Sequence, residues 1–501
     1  MYPVTFITGS TGVFFQQFGI TLATAIIISA VNALTLSPAL CALVLKPERK
    51  HIGEEKSFTD RFAIAFNTAF DVGKYRYKKV LGFFTRNSWA AVAIVIGSIA
   101  LFGYLFQTTP SGFVPDEDQG VFFANVSLPT SSSLERTQDV LDEVDVMLEE
   151  MDVIESRLLI SGFGLISGSG SQYGFIVGKL NHWDQREQSV NDVIQTLQQR
   201  TSSIKEADFV FLSPPVISGF GNSSGFTVNL QDVSSGSFDE LAQANQKLNQ
   251  ALSQRPEIQY SSSFFETDYP QYMVNIDIPK AKRAGISPRS IMSVMQANYG
   301  GLYISNFNRF GKLYRVFLQA DPEARGSTES LQNVSIRNGQ GEMAPISSFV
   351  DLERVYGPQS ISRFNLFNSV QVTGATNPGY SSGDAIDAIE EVFDNQISDN
   401  YSYAYSGLTR EENSASGQEL IVFGLCLLFV YFLLSAQYES YLVPWAVILP
   451  LPIGLAGSFI FANIFGVANN IYLQISSIML LGLLAKNAIL VVEFALQRRT
   501  E

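Results

Sequence analysis

The chain has 501 residues, of which 46% are hydrophobic and only 16% charged, against about 25% charged in a typical soluble protein. That balance excludes a disordered, collagen-like or highly charged chain and points to membrane spans beside folded soluble mass. The formal charge is −14, and residues 107–418 hold 20 Lys+Arg against 38 Asp+Glu, an excess that argues against nucleic acid as a partner.

The start lacks the basic residues of a signal peptide, since the first is Lys46. A loop-like Gly9-Ser10-Thr11-Gly12 leads into an apolar run, and the end at Arg498-Arg499-Thr500-Glu501 is equally abrupt, so the chain reads as a piece of a longer protein. Five segments are long and apolar enough to cross a bilayer, which takes about 20 residues. They are Phe18–Leu45, Trp89–Phe106, Glu419–Ser435, Leu442–Phe465 (interrupted by Pro444, Pro450 and Pro452) and Ile471–Leu496. The stretch Lys46–Ser88 carries ten basic and five acidic residues, and Arg498 and Arg499 follow the last span. With five spans both regions fall on one side, the cytoplasmic one by the positive-inside rule, and residues 107–418 on the other. Phe58–Phe84 has apolar residues at helical spacing, which suits either an interfacial helix or an ordinary linker helix.

The large acidic region has a rhythm. Strand Gly120–Leu128, helix Leu134–Met151, strands Ile154–Ser161 and Tyr173–Leu180, helix Val190–Ile204 and strand Asp208–Leu212 spell β-α-β-β-α-β, a ferredoxin-like unit. The pattern restarts with strand Gly225–Gln231, helix Phe238–Ser253 and strand Ile258–Phe265. It resumes with strand Ser369–Gly374, helix Ala385–Ile397 and strand Tyr401–Tyr405. Asp268–Val355 lies between, with strands Tyr272–Ile278, Leu313–Gln319 and Val334–Arg337 and a helix Pro288–Asn298, and reads as an insertion. The fold class is therefore an α-helical membrane bundle joined to an α+β region.

Three motifs stand out. Asn338-Gly339, between Val334–Arg337 and Glu342–Ile346, signals a tight hairpin turn with positive φ. It is either a plain surface turn or a tip that docks a partner. Gly162-Phe163-Gly164-Leu165, followed by Gly168, Gly170 and Gly174, does not fit a nucleotide loop. It is either a long hairpin connection or a flexible glycine loop that gates a pocket with its one large aromatic. Lys486-Asn487 puts a lysine in mid-span, which costs at least about 2.5–3.5 kcal/mol and calls for a carboxylate or a wet cavity, the alternative being a structural lysine hydrogen-bonded to carbonyls. The other four spans carry no Asp or Glu at mid-depth. Asp116-Glu117-Asp118 reads as a solvated loop or cap. Cys41 and Cys426 lie in apolar runs, and with only His51 and His182 no metal set is legible.

The run Gly482-Leu483-Leu484-Ala485-Lys486-Asn487-Ala488-Ile489-Leu490-Val491-Val492-Glu493-Phe494-Ala495 resembles the lysine-bearing span of resistance-nodulation-division transporters. Phe113-Val114-Pro115-Asp116-Glu117-Asp118-Gln119-Gly120, Leu36-Ser37-Pro38-Ala39-Leu40-Cys41 and Tyr438-Glu439-Ser440 extend the likeness to the hydrophobe/amphiphile efflux branch, the inner-membrane pumps of tripartite systems. The resemblance implies a proton-driven exporter of amphiphilic compounds, not an enzyme. Protons are the coupling ion, and no other cofactor is needed. It implies a homotrimer in a Gram-negative-type inner membrane, in contact with lipid, a periplasmic adaptor and an outer-membrane channel. Lys486 and Asn487 would belong to the proton relay, whose aspartates lie on a span outside this chain.

The expected division follows. Residues 1–45 are a loop and span, 46–88 a cytoplasmic loop, 89–106 a span, 107–221 a porter subdomain, 222–267 and 356–418 the parts of a second, 268–355 a docking subdomain with its tip at Asn338 and Gly339, 419–496 three spans and 497–501 a cytoplasmic end. The glycine loop with Gly162, Phe163 and Gly164 would be the switch loop of the drug pocket. Leu158, Leu165 and Val177 stand where better-known members carry phenylalanines. Phe209, Val210, Phe211 and Leu212 would face the outer access region, and Gly219 replaces a common acidic residue. Two further readings remain open. One is export of a metal ion, with Met147, Met151, Met273, Met292, Met295 and Met343 as soft ligands. The other is a membrane-anchored docking or assembly protein without transport.

Overall fold

The computed structural model describes residues 9–45, 58–115, 117–415 and 417–500. His51 and Asp116 lie outside the described residues, as do parts of the 46–88 loop. Helix α1 (Gly9–Leu34) breaks at Thr35 and continues as α2 (Leu36–Val44). The stretch expected as a loop, Gly9 to Gly12, is instead the first turn of α1, with Thr11 and Gly12 buried. Helix α3 (Phe58–Arg86) has a polar and an apolar face, with Phe62, Phe66 and Phe70 exposed. Helix α4 (Ser88–Thr108) forms the next span.

The soluble region starts with strand β1 (Val121–Ser127), helix α5 (Leu134–Glu149), β2 (Ile154–Gly164), β3 (Gly168–Leu180), α6 (Val190–Thr201) and β4 (Asp208–Leu212). The strands pair antiparallel in the order β2-β3-β1-β4. Residues alternate between faces along a strand, so one face of the sheet meets the helices. Phe122, Ala124, Val126 and Ile176 of that face pack on Val140, Leu141 and Val144 of α5 and on Val193 and Leu197 of α6. Gly178 is required here, because a Cβ would overlap the Phe122 ring.

The second unit has β5 (Phe226–Asp232), α7 (Phe238–Ser253) and β6 (Ile258–Ser262). The chain then leaves it for an insertion of β7 (Tyr269–Ile276), α8 (Ile278–Arg283), α9 (Pro288–Met295), β8 (Leu302–Arg309), β9 (Lys312–Leu318), α10 (Pro322–Arg325), β10 (Ser335–Arg337), β11 (Met343–Pro345) and β12 (Val350–Gly357). Strand β7 pairs with β12, and Ile286, Ile291, Ile336 and Ile346 form a separate small core. The chain returns through β13 (Ser362–Phe364), β14 (Phe367–Thr376), α11 (Ser382–Gln396) and β15 (Tyr401–Tyr405). Strand β14 pairs with β5 and β6, and β15 with β5, so the order β6-β14-β5-β15 repeats that of the first unit. Helices α6, α7 and α11 each open on a serine with an acidic residue three positions on: Ser189/Asp192, Ser237/Glu240 and Ser381/Asp384. Each pair satisfies two free backbone N–H groups at the helix start.

Helices α12 (Gly407–Ala415) and α13 (Gln418–Tyr438) lead back to the membrane. The fourth span is split at Leu449-Pro450 into α14 (Val443–Ile448) and α15 (Leu451–Ile464), as its prolines lead one to expect. The last is α16 (Ile471–Thr500). Five stretches among the described residues are thus long and apolar enough to cross a membrane. Their ends nearest the soluble region meet in one cluster: Phe15 of α1, Phe113 after α4, Val422 and Cys426 of α13 and Ile471 and Ile475 of α16. Deeper in the bundle, Phe102 of α4 meets Phe459 of α15 edge to face at 5.4 Å. Gly454 lets α15 approach α16 so closely that a Cβ would overlap Leu484.

Candidate functional site

Two places combine unusual chemistry with defined geometry. The first is around Lys486. Leu481 and Ala485 turn one face of α16 onto Leu451 and Leu455 of α15. Lys486 lies one residue further round, exposed to a cavity of about 580 Å³ bounded by α1, α13, α15 and α16. Leu22 and Ile26 of α1, Phe429 and Val430 of α13 and Met479 of α16 form much of its wall, and among the described residues that wall holds no carboxylate. Asn487 is exposed on the adjoining face of the helix. A charge at this depth is stable only beside an opposite charge or water.

The second place is the sheet face turned away from α5 and α6. The glycine run belongs to a hairpin, the first of the two readings. Its glycines lie within β2 and β3, and only Leu165, Ile166 and Ser167 connect the strands. Gly162 has φ +83° at a register shift, which aims Phe163 away from the regular pleat. The Phe163 ring stands edge-on to Phe175 at 6.0 Å, and Phe175 lies 5.5 Å from Phe123. Behind them Asn125 is fully buried and donates from Nδ2 to Ser167 Oγ at 3.3 Å. Gly164 admits this fold-back, since a Cβ there would stand 2.7 Å from Asn125 Oδ1. Leu158, Val177 and Leu212 share this face, as their pairings with one another and with Phe123 require.

Strand alternation divides the expected set. Phe209 and Phe211 pair with Val126 and Ala124 and lie on the helix-packed face of the sheet. Their rings stack at 6.3 Å, and Phe211 also borders the cleft between the two αβ units. That cleft, about 340 Å³, is walled by Asp118, Gln195, Pro214, Tyr260 and Tyr380 among others. Sequence reasoning passed over Phe123, Asn125 and Phe175. Their alternation with Phe122, Ala124 and Ile176 on the same strands was the signal that could have found them.

Of the two readings for the acidic run, loop or cap, Asp118 is a cap, half-buried rather than solvated. It accepts two hydrogen bonds from Arg186, at 2.6 and 2.9 Å, one from Val190 N–H at 3.0 Å and one from Gly120 N–H at 2.9 Å. The Asn-Gly turn also differs from expectation. The loop between β10 and β11 runs from residue 338 to 342, and its positive φ falls on Gly341, at +90°, not on Gly339. Asn338 Oδ1 accepts from the N–H groups of Gln340 and Glu342, while Gly339 N–H donates to Ala284 O. The tip is therefore pinned to the Ala284-Gly285 turn. Met147 and Met151 pack in the first core and Met295 in the small core of the insertion, an ordinary use of methionine.

Five candidate spans with a lysine in one of them, joined to paired ferredoxin-like units, define a helical membrane protein with a large α+β region. Residues 1–501 match the AcrB/AcrD/AcrF family, and the chain belongs to it. The resemblance seen at Lys486 is thereby borne out. The chain is 36% identical over 506 residues to the multidrug/solvent efflux pump membrane transporter MepB of Pseudomonas putida, covering 99% of this chain and 47% of MepB. It is 33% identical over 504 residues to the multidrug export protein AcrF of Escherichia coli, covering 98% of this chain and 48% of AcrF. The chain spans about half the length of the curated relatives it matches.

Proposed function

We propose that this chain works as part of a proton-driven exporter of drugs and other amphiphilic compounds in a Gram-negative-type inner membrane. Lys486 carries the reading: a cation in a cavity inside an apolar bundle costs free energy unless an opposite charge or water meets it, and a carboxylate partner would make that pairing depend on protons. Carboxylates supplied by neighbouring spans would pair with Lys486 when ionised and release it when protonated, which gives the bundle two arrangements. Asn487 would keep the relay polar. The two αβ units would act as porter subdomains and the insertion as the docking subdomain toward a periplasmic adaptor and an outer-membrane channel, in a homotrimer. Phe163, Phe175, Phe123, Leu158 and Val177 would offer an apolar, partly aromatic surface to substrate, with Gly162 and Gly164 shaping the hairpin. The names of relatives support amphiphilic cargo: MepB is a multidrug/solvent pump, and TtgE, also of P. putida, a toluene efflux pump.

Lys486→Met tests the reading. In cells carrying the complete transporter, efflux of a fluorescent dye should fall to the level of cells without the pump, a loss of about a hundredfold in transport rate, at unchanged membrane abundance. Efflux at the parent rate would overturn the proposal.

A further inference from the structure

The short segment Thr109–Phe113, which joins α4 to the first αβ unit, is gripped from two sides. On the membrane side it meets the turn before α16. Asn469 N–H donates to Pro110 O at 2.8 Å, Gly112 N–H to Asn469 O at 3.3 Å, and Ile471 N–H to Phe113 O at 3.0 Å. Asn470 caps α16 by accepting from the N–H groups of Tyr472 and Leu473. Helix α16 then runs unbroken to Lys486, fifteen residues or about 22 Å along its axis. Thr109 Oγ1 also accepts from Asn463 Nδ2 of α15 at 2.8 Å.

On the soluble side the same segment bears on the start of α11. Gly383 N–H donates to Ser111 O at 3.3 Å. A Cβ on Gly383 would overlap Ser111 Oγ and stand 2.9 Å from the Ser111 carbonyl oxygen, which is backbone and cannot swing aside. The capping box of Ser381 and Asp384 makes this helix start stiff, and Ala385, Ile389 and Val392 lock α11 into the second core. Ser382 Oγ donates to Glu412 Oε1 of α12 at 2.7 Å, which holds the helix start to the segment leading into α13.

We propose that the Ser111–Gly383 contact is the bearing through which displacement of the lysine-bearing helix α16 reaches the second αβ unit, with Gly383 as a positioning residue for transport. The inference rests on the transport reading above. Displacement of α16 carries Asn469 and Ile471 with it. Three backbone hydrogen bonds pass the movement to residues 110–113, and close contact passes it to α11. Glycine is needed because only a bare Cα lets the helix start lie on the moving segment without a gap or a clash.

The test uses the complete transporter in proteoliposomes with an imposed pH gradient. Gly383→Ala should lower the maximal transport rate about tenfold while KM and equilibrium dye binding stay within about twofold, because the contact moves with the cycle and does not touch substrate. Adding Ser111→Gly, which removes the Oγ under the new methyl, should restore part of the rate. Should Gly383→Ala fail to accumulate, Ser111→Thr enlarges the same contact from the other side and should give the same split. A Gly383→Ala transporter running at the parent rate would overturn the inference, and so would a loss of rate matched by an equal rise in KM. A parent that moves no dye in the same vesicles would remove the transport reading itself, a failure visible before any variant is compared.

Discussion

Asp118 joins three parts of the first αβ unit with one side chain. Its oxygens hold Arg186, whose own side chain is 4% exposed, together with the first N–H of α6 and the N–H leading into β1. Burial by itself would raise the carboxyl's pKa. The Arg186 hydrogen bonds, the N–H groups of Val190 and Gly120 and the guanidinium charge outweigh it and hold the group below the usual carboxylate range. The sign follows: a carboxyl whose pKa is lower in the folded state stabilises above the unfolded value, about 3.9, and that contribution vanishes as pH falls through the folded value. Asp118→Asn should cost about 2–4 kcal/mol at pH 7, because it leaves a buried guanidinium unpaired. Denaturation midpoints of the purified protein should show the full gap at pH 7 and its closure below about pH 4; a gap independent of pH would refute the ionic role. None of this was legible in Asp116-Glu117-Asp118, because three adjacent acids spell a solvated loop until Arg186, 68 residues later, is placed beside the third. Lys486 was legible by itself, since a charge within an apolar run is anomalous without any partner in view.

The elements divide in the same way between local and distant causes. Helices α6, α7 and α11 start within three residues of where serine and apolar spacing place them, because the capping box is written within four residues of chain. Two hairpins were missed because each turn carries only one of the two usual residues. Strands β13 and β14 are joined by Asn365 and Leu366, with φ of +50° and +72°, and β8 and β9 by Phe310 and Gly311, with φ of +53° and +72°. A leucine or phenylalanine in the left-handed region carries a steric cost of about 1–2 kcal/mol, so neither announces a turn. Leu366 is 95% exposed and has almost no packing to lose. Leu366→Gly should therefore stabilise the protein by about 0.5–1 kcal/mol, the relieved strain less the added freedom of the unfolded chain. A higher denaturation midpoint with unchanged cooperativity would show it, and a lower one would mean that Leu366 makes contacts outside this chain. The glycine run left a hairpin connection and a flexible loop open, and the structure has the hairpin, with strands longer than spacing suggested. Gly164 and Gly174 of the run, and Gly178 of the strand beyond it, serve close approach, to Asn125, Leu141 and Phe122 in turn.

At the scale of the molecule, charge and packing give one topology by separate routes. The membrane ends of α1, α4, α13 and α16 that carry Phe15, Phe113, Val422 and Ile471 meet beneath the soluble units, so those four ends share a side. That side also bears the acidic region. The opposite ends lead to Lys74, Arg76, Lys78 and Lys79 of α3 and to Arg498 and Arg499 of α16, the basic segments that the positive-inside rule assigns to the cytoplasm. Four of the five crossings lie between α3 and the end of α16, an even number that brings the two to one side, and the repeated strand order of the two αβ units then lies wholly on the far side. Single-cysteine labelling checks this, with Cys41 and Cys426 replaced by serine. In cells with a permeabilised outer membrane, a membrane-impermeant maleimide should modify Asn338→Cys at once. It should modify Lys78→Cys only after the inner membrane is broken. Immediate labelling at position 78 would invert the topology, and Lys486 would then face its proton supply from the wrong side, so the coupling proposed for α16 would fail with it.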